Sequence, residues 1–128
     1  MYTTKSIGIW IDHVSAHLIE FRKLRVETVI IRAKIKEKDK YLLTKEETSD
    51  ENNQQQNFFK KIIEYIMPFE NILIFGPNEE KHLFENYLRN EENFDQMKVV
   101  SLIADKMTDN HKHAYVNNYF KTLFSKKQ

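Results

Sequence analysis

Asp12 is the carboxylate best placed for chemistry, because it closes the first apolar run of the chain, Ile7-Gly8-Ile9-Trp10-Ile11. Metal-assisted phosphodiester cleavage needs several carboxylates converging on divalent ions. A second would come from the first helix, where Glu64 is available, and a third from the end of the fourth strand. Phe75-Gly76 stands there instead, so the set is incomplete. Asp12 reads first as a turn former that accepts backbone hydrogen bonds, and only in the alternative as the catalytic group of a metal-dependent nuclease. His13 and His17 are four apart but lie across a hairpin turn. His111 and His113 are two apart at a helix start, a spacing at which side chains do not face each other. With no cysteine and no His-Glu-x-x-His pattern, neither a metal site nor a cofactor is expected.

The remaining candidates are surfaces. Arg32, Lys34, Lys36, Lys38 and Lys40 share one parity, so on an extended strand they form a basic stripe able to track a phosphate backbone. The competing role of such lysines is to protect a sheet edge from pairing. Glu37 and Asp39 on the opposite parity dilute the field, and no aromatic residue alternates with the cations to stack on bases. Gly76-Pro77-Asn78 precedes a helix whose free N–H groups could meet an anion. The second glycine and the Lys-Ser/Thr of a Walker loop are missing, and Glu79 and Glu80 would repel phosphate. The turn therefore reads as structural.

These residues need elements to hold them. Ser6–Asp12 is apolar at Ile7, Ile9, Trp10 and Ile11 and predicts a central strand. Ala16–Phe21 alternates and is close enough to form an antiparallel hairpin with it. Arg25–Lys36 is β-branched and alternating, with Val29, Ile31, Ala33 and Ile35 on one face. Glu37 to about Asn53 is polar and reads as a loop, mobile at least in part. Phe58, Phe59, Ile62, Ile63, Ile66 and Met67 then mark an amphipathic helix over about Asn52–Met67, stopped by Pro68. Ile72-Leu73-Ile74-Phe75 is apolar on consecutive residues, as in a strand covered on both faces. Asn78 to about Arg89 predicts a second helix, with Asn78 as cap and Leu83, Phe84, Tyr87 and Leu88 as its apolar face. Lys98–Ile103 is a fifth strand. Thr108 caps a last helix that runs to about Phe124.

The order β-β-β-α-β-α-β-α, with right-handed crossovers, predicts a five-stranded mixed sheet of order 3-2-1-4-5. Strands one to three are antiparallel and three helices complete an α/β, three-layer, RNase H-like fold. The 128 residues suit a single domain over 1–128, with the flexible loop at about 37–53. A net charge of +1 gives no global pull toward nucleic acid or membrane. No apolar run approaches the ~20 residues of a membrane span. The absence of cysteine and of a signal-peptide layout in MYTTKSIGIWIDH favours a cytoplasmic protein. The sheet edges, strands three and five, are surfaces through which a homodimer could form.

Two stretches together resemble a known family. One is GIWIDH followed by a second strand. The other is LIFGPNEEKHLFENYL, followed by a strand and then DKMTDNHKHAYVNNYF. They resemble the middle domain of the class-1 release factor and Pelota family, in its small bacterial relatives. Gly76, Pro77, Lys81, Phe84 and Leu88 stand at the positions of that domain's GP-x-x-x-K-x-x-F/L turn and helix. The resemblance implies an RNase H-like fold and a role in translation. Release factors of the family hydrolyse peptidyl-tRNA with a Gly-Gly-Gln loop between the third strand and the first helix. The glycines let the backbone enter a crowded site, and a backbone donor stabilises the charge on the ester oxygen. The matching segment here, Glu37–Gln56, carries Gln54, Gln55 and Gln56 but no glycine. The resemblance thus implies the non-hydrolytic style of Pelota-like members, which act in ribosome rescue or dormancy by occupying the tRNA site. The expected partner is the ribosome or its RNA. Since the other release-factor domains are not expected, the protein would act alone, as an oligomer or with a partner.

Overall fold

The computed structural model describes residues 5–21, 28–32, 45–92 and 94–125, with the backbone alone given for 45–54 and Asn78. Five strands form one sheet: β1 (Ser6–Ile11), β2 (Ser15–Glu20), β3 (Thr28–Arg32), β4 (Asn71–Gly76) and β5 (Lys98–Ile103). Their order is β3-β2-β1-β4-β5. β2 is antiparallel to both neighbours, while β1, β4 and β5 run parallel. The helices are α1 (Lys45–Ile66), α2 (Asn78–Arg89) and α3 (Asp109–Ser125). This is the mixed five-stranded α/β arrangement, order 3-2-1-4-5, that the pattern of elements predicts.

Continuous apolarity in β1 and β4 is explained by the two layers that cover them. Every residue of both strands is buried. Ile7, Ile9, Ile11, Ile72 and Ile74 face one way, against Phe58, Phe59, Ile62 and Ile66 of α1 and Phe84 and Leu88 of α2. Trp10, Leu73 and Phe75 face the other way, against Val116, Phe120 and Phe124 of α3. Fully burying a side chain of this size contributes about 1.5–3 kcal/mol, so the two clusters account for why the sheet has both its layers. Phe59 links the layer on the α1 side laterally, with ring centroids 5.4 Å from Phe84 and 5.5 Å from Tyr87.

Three expectations need correction. The first helix begins at Lys45, not near Asn52, so residues 45–53 are helical rather than loop; 37–44 lie outside the described residues. Its first turns carry almost no apolar residues, and hydrophobic periodicity cannot register a helix end that has nothing to bury. The second correction concerns α2. Its buried stripe is Lys81, Phe84, Glu85 and Leu88, while Leu83 is exposed. The face is rotated because Lys81 and Glu85 satisfy each other. The third is the cap of α2, which is Pro77 without a side-chain hydrogen bond rather than Asn78. Thr108 does cap α3, its hydroxyl accepting from the His111 N–H at 3.2 Å.

Candidate functional site

In open α/β sheets the crevice for ligands lies beyond the carboxyl ends of the strands, where connections diverge to opposite sides. Here that point lies between β1, which returns to β2, and β4, which continues to β5. Ile11-Asp12 and Gly76-Pro77 stand beside each other there. Gly76 has φ +141°, and a Cβ on it would come within 2.5 Å of the Ile11 carbonyl oxygen. Only glycine permits so close an approach.

Asp12 is fully engaged. Its Oδ1 accepts from the N–H groups of Val14 (2.9 Å) and Ser15 (2.8 Å) and from the Ser15 hydroxyl (3.3 Å), and its Oδ2 from the Trp10 indole (3.4 Å). Burial pushes its pKa up, but the backbone donors, Trp10 and Ser15 together outweigh that and hold it below the ordinary carboxylate range. This is the β1–β2 turn in chemical terms. Glu64 is exposed on α1 near its C-terminal end. That end of α1 leads into the start of β4, at the opposite end of the sheet from Asp12. The carboxylates are thus not gathered, and among the described residues no group of three His, Asp or Glu side chains could hold a metal ion.

The side of the sheet covered by α3 carries a mixed-charge cluster near the same end. His17 Nδ1 lies 3.8 Å from Asp109, and Lys112 Nζ lies 3.2 Å from the same carboxylate. Lys112, though buried, sits over the Trp10 ring at 4.7 Å, so its charge is held by a carboxylate and an aromatic face together. The Thr28 hydroxyl lies 2.6 Å from His113 Nε2 and ties β3 to α3. His13, exposed in the turn, reaches Glu80 at the start of α2 (3.2 Å). Ser15 gives its hydroxyl to Asp12 rather than to a histidine. Ser15 is therefore not coupled to a base, and these histidines join elements rather than each other.

His17 yields a pH prediction. Burial lowers its pKa first, and Lys112 and Arg32 add to that, against the opposing pull of Asp109 and Asp12. The unfolded chain therefore takes up the proton before the folded one does. The contribution is present above 6.5, the ordinary value for histidine, and is lost as pH falls through it toward the folded value. Asp12 acts likewise in a separate window, below its unfolded value of 3.8. Urea midpoints are expected to fall between pH 7.5 and pH 5.5, and His17→Gln is expected to flatten that slope. An equal slope in the variant would assign the titration to another group.

Of the basic stripe, only Arg32 is described: it is exposed and ends β3, on the face that also bears Thr28 and Ile30. Lys34, Lys36, Lys38 and Lys40 lie outside the described residues. Gln54, Gln55 and Gln56 lie well inside α1, not in a loop. Their backbone is thus committed to helical hydrogen bonding, in keeping with the helix expected over about Asn52–Met67, so they are not the counterpart of a Gly-Gly-Gln loop. Gly76 and Pro77 form the expected turn into α2, and Lys81 lies four residues further on.

Lys81 belongs to a group that reading the sequence for chemistry did not find. Its ammonium donates to Glu85 Oε1 (3.2 Å) and to the Ser101 hydroxyl of β5 (2.5 Å), and Ser101 donates in turn to Glu85. Lys81 is 4% and Glu85 8% exposed. The signal was present as a Lys–Glu pair four apart on the same stripe as Phe84 and Leu88. A cavity of about 90 Å³ opens beside it, lined by Glu85, Leu88, Arg89, Phe94, Val99 and Ser101. A second, open groove of about 650 Å³ follows the outer side of α3, past Ala114, Tyr115, Asn118, Tyr119 and Leu123. Tyr115 closes its floor by stacking on Phe75 at 4.7 Å. Burial, with Tyr115 adding a smaller push, raises the Tyr119 pKa, so that ring stays a neutral phenol at neutral pH.

No protein-family model matches the chain, and no curated protein matches it in sequence. Among solved structures it is similar to Pelota of Archaeoglobus fulgidus, with 16% identity and a TM-score of 0.57 over 93% of this chain and 34% of that one. It is also similar to Pelota of Thermoplasma acidophilum, with 14% identity and a TM-score of 0.56 over 85% of this chain and 30% of that one. The chain thus spans about a third of the length of the proteins it matches. At such identities the likeness is one of architecture: this chain has the fold of one part of Pelota.

Proposed function

We propose that this chain is a translation-related binding domain, a small bacterial relative of the release-factor and Pelota middle domain, that contacts ribosomal RNA without hydrolysing peptidyl-tRNA. The observation that carries the reading is the likeness to Pelota over 93% of the chain. The Gly-Pro turn and the lysine of α2 in the expected places support it, and so does a fold reached independently from the order of elements. The only glycines are Gly8 and Gly76, so no Gly-Gly-Gln segment exists to serve hydrolysis. A binding role suits a strand end whose carboxylate, Asp12, is consumed by its own turn. Contact would run from Arg32 at the edge of the sheet along the lysines that follow it, in a cytoplasmic protein.

The test is co-sedimentation with bacterial ribosomes over a salt series. Salt-sensitive association is expected, because each phosphate neutralised releases counterions. Exchanging Lys34, Lys36 and Lys38 for glutamine removes three such contacts. It should weaken binding and flatten the log–log salt slope by about two units, at ~0.7 per contact on single-stranded RNA. Binding with an unchanged slope would remove the stripe from the mechanism. No association at low salt would leave the likeness as a statement about fold.

A further inference from the structure

We infer that the β5 edge of the sheet is a dimer interface, at which β5 pairs antiparallel with β5 of a second copy about a two-fold axis through Ser101. The Lys98 N–H donates to Glu70 and the Ala104 N–H to Gly76, both on the β4 side. Backbone groups alternate along a strand. The N–H and C=O groups of Val99, Ser101 and Ile103 therefore point outward, and among the described residues no strand lies beyond them. β5 has none of the usual protections of an edge: no proline, no bulge, and Lys98 only at its first position. Ile103 is 68% and Val100 39% exposed.

The side chains select the partner and the register. A two-fold axis normal to the sheet sets like faces opposite one another, so paired residues share parity. Centred on Ser101, the pairing sets Val100 against Leu102 of the second copy on the α3 side, and Val99 against its Ile103 on the α2 side. Every pair outside the centre within Val99–Ile103 is then apolar. Centring on Val100 instead would set Lys98 against Leu102. Centring on Leu102 would set Val99 against Asp105 and Lys98 against Lys106.

The favoured register also fills a space. Val99 lines the 90 Å³ cavity together with Phe94 and Leu88. That is room for about three waters at ~30 Å³ each, the size class of a four-carbon side chain. The exposed Ile103 of the second copy arrives opposite Val99, at its mouth. Charge agrees: Lys98 of one copy comes beside Ala104-Asp105 of the other, twice by symmetry. The opposite edge is less suited to self-pairing, since β3 spans only Thr28–Arg32 and ends in the exposed Arg32. Area decides how tight the dimer is. A six-residue strand is about 20 Å long and, with a layer of about 10 Å on each face, offers ~400 Å² per copy. Standard stable interfaces bury about 800 Å² per partner. A concentration-dependent dimer is therefore expected.

Sedimentation or light scattering over a wide concentration series should show the mass rising from monomer to twice that value. Ile103→Lys should weaken dimerisation at least tenfold, with an unchanged thermal midpoint in dilute solution, because that side chain is exposed in the monomer. The chain has no cysteine, so a mixture of Val100→Cys and Leu102→Cys proteins under mild oxidation reads the register directly. Facing residues at a non-hydrogen-bonded pair lie about 4.5 Å apart, within disulfide reach. The mixture should cross-link in preference to either variant alone. A monomer at all concentrations, a dimer indifferent to Ile103→Lys, or cross-linking by Val100→Cys alone would each overturn the proposal.

Discussion

Replacing Lys81 with alanine is expected to cost about 3–5 kcal/mol, the range for leaving one partner of a buried ion pair uncompensated. The whole stability of a domain this size is about 5–15 kcal/mol, so the loss is a large share of it. The reason lies in Glu85. It accepts from Lys81 and from Ser101, and it is almost wholly withdrawn from water. Without the ammonium its carboxylate is left buried with no cation bonded to it. Glu85→Ala alone should cost a similar amount, through the stranded ammonium. The double variant Lys81→Met/Glu85→Leu should cost much less than the sum, since an apolar pair of like volume removes both charges. Urea denaturation of the four proteins measures this as a coupling energy. Additive losses would mean that the pair is wetter than its burial indicates. The outcome also bears on the interface, because Ser101, the third member of the group, occupies the proposed two-fold axis.

The group shows where legibility in the sequence ended. Strand order could be read because β1 and β4 are apolar on consecutive residues and are joined to their neighbours by connections of diagnostic length. Apolarity and chain length are both visible in one dimension. Lys81 and Glu85 were visible too, but periodicity counts only apolar residues and so passed over polar ones on a buried stripe. It chose Leu83, which is exposed, to complete the face. Ser101, sixteen residues beyond Glu85, could be joined to the pair only by knowing that α2 packs on β5. The start of α1 failed for the converse reason. Residues 45–53 include no stripe to count, and their helical state leaves no apolar mark.

The carboxyl end of the sheet was legible in part. Asp12 could be assigned to its turn because an aspartate two and three residues ahead of free N–H groups accepts from them locally. That His17 and Lys112 meet at Asp109 could not be read, as the contact depends on how α3 crosses β1 and β2. The same crossing sets Lys112 over Trp10.

Gly76→Ala is expected to be nearly as damaging as the loss of Lys81, by about 2–4 kcal/mol from a sparsely populated φ together with a contact that has nowhere to relax. The φ of +141° already disfavours any L side chain. The new methyl would also lie 2.5 Å from the Ile11 carbonyl oxygen, which belongs to the backbone of the central strand. Relief would require β1 and β4 to part, and they are paired from Ser6–Asn71 up to Trp10–Phe75, the step next to this contact. Gly8→Ala is the informative comparison. There the added carbon runs into Val116 Cγ2, which belongs to a side chain of α3. Shortening Val116 to alanine should therefore recover much of the Gly8→Ala loss, whereas no side-chain truncation should recover Gly76→Ala. Thermal midpoints of the single and double variants test the difference. Recovery of Gly76→Ala by a core truncation would show that the clash is not with the backbone of β1, and that the glycine of the Gly-Pro turn is there for reasons other than the joint between the two central strands.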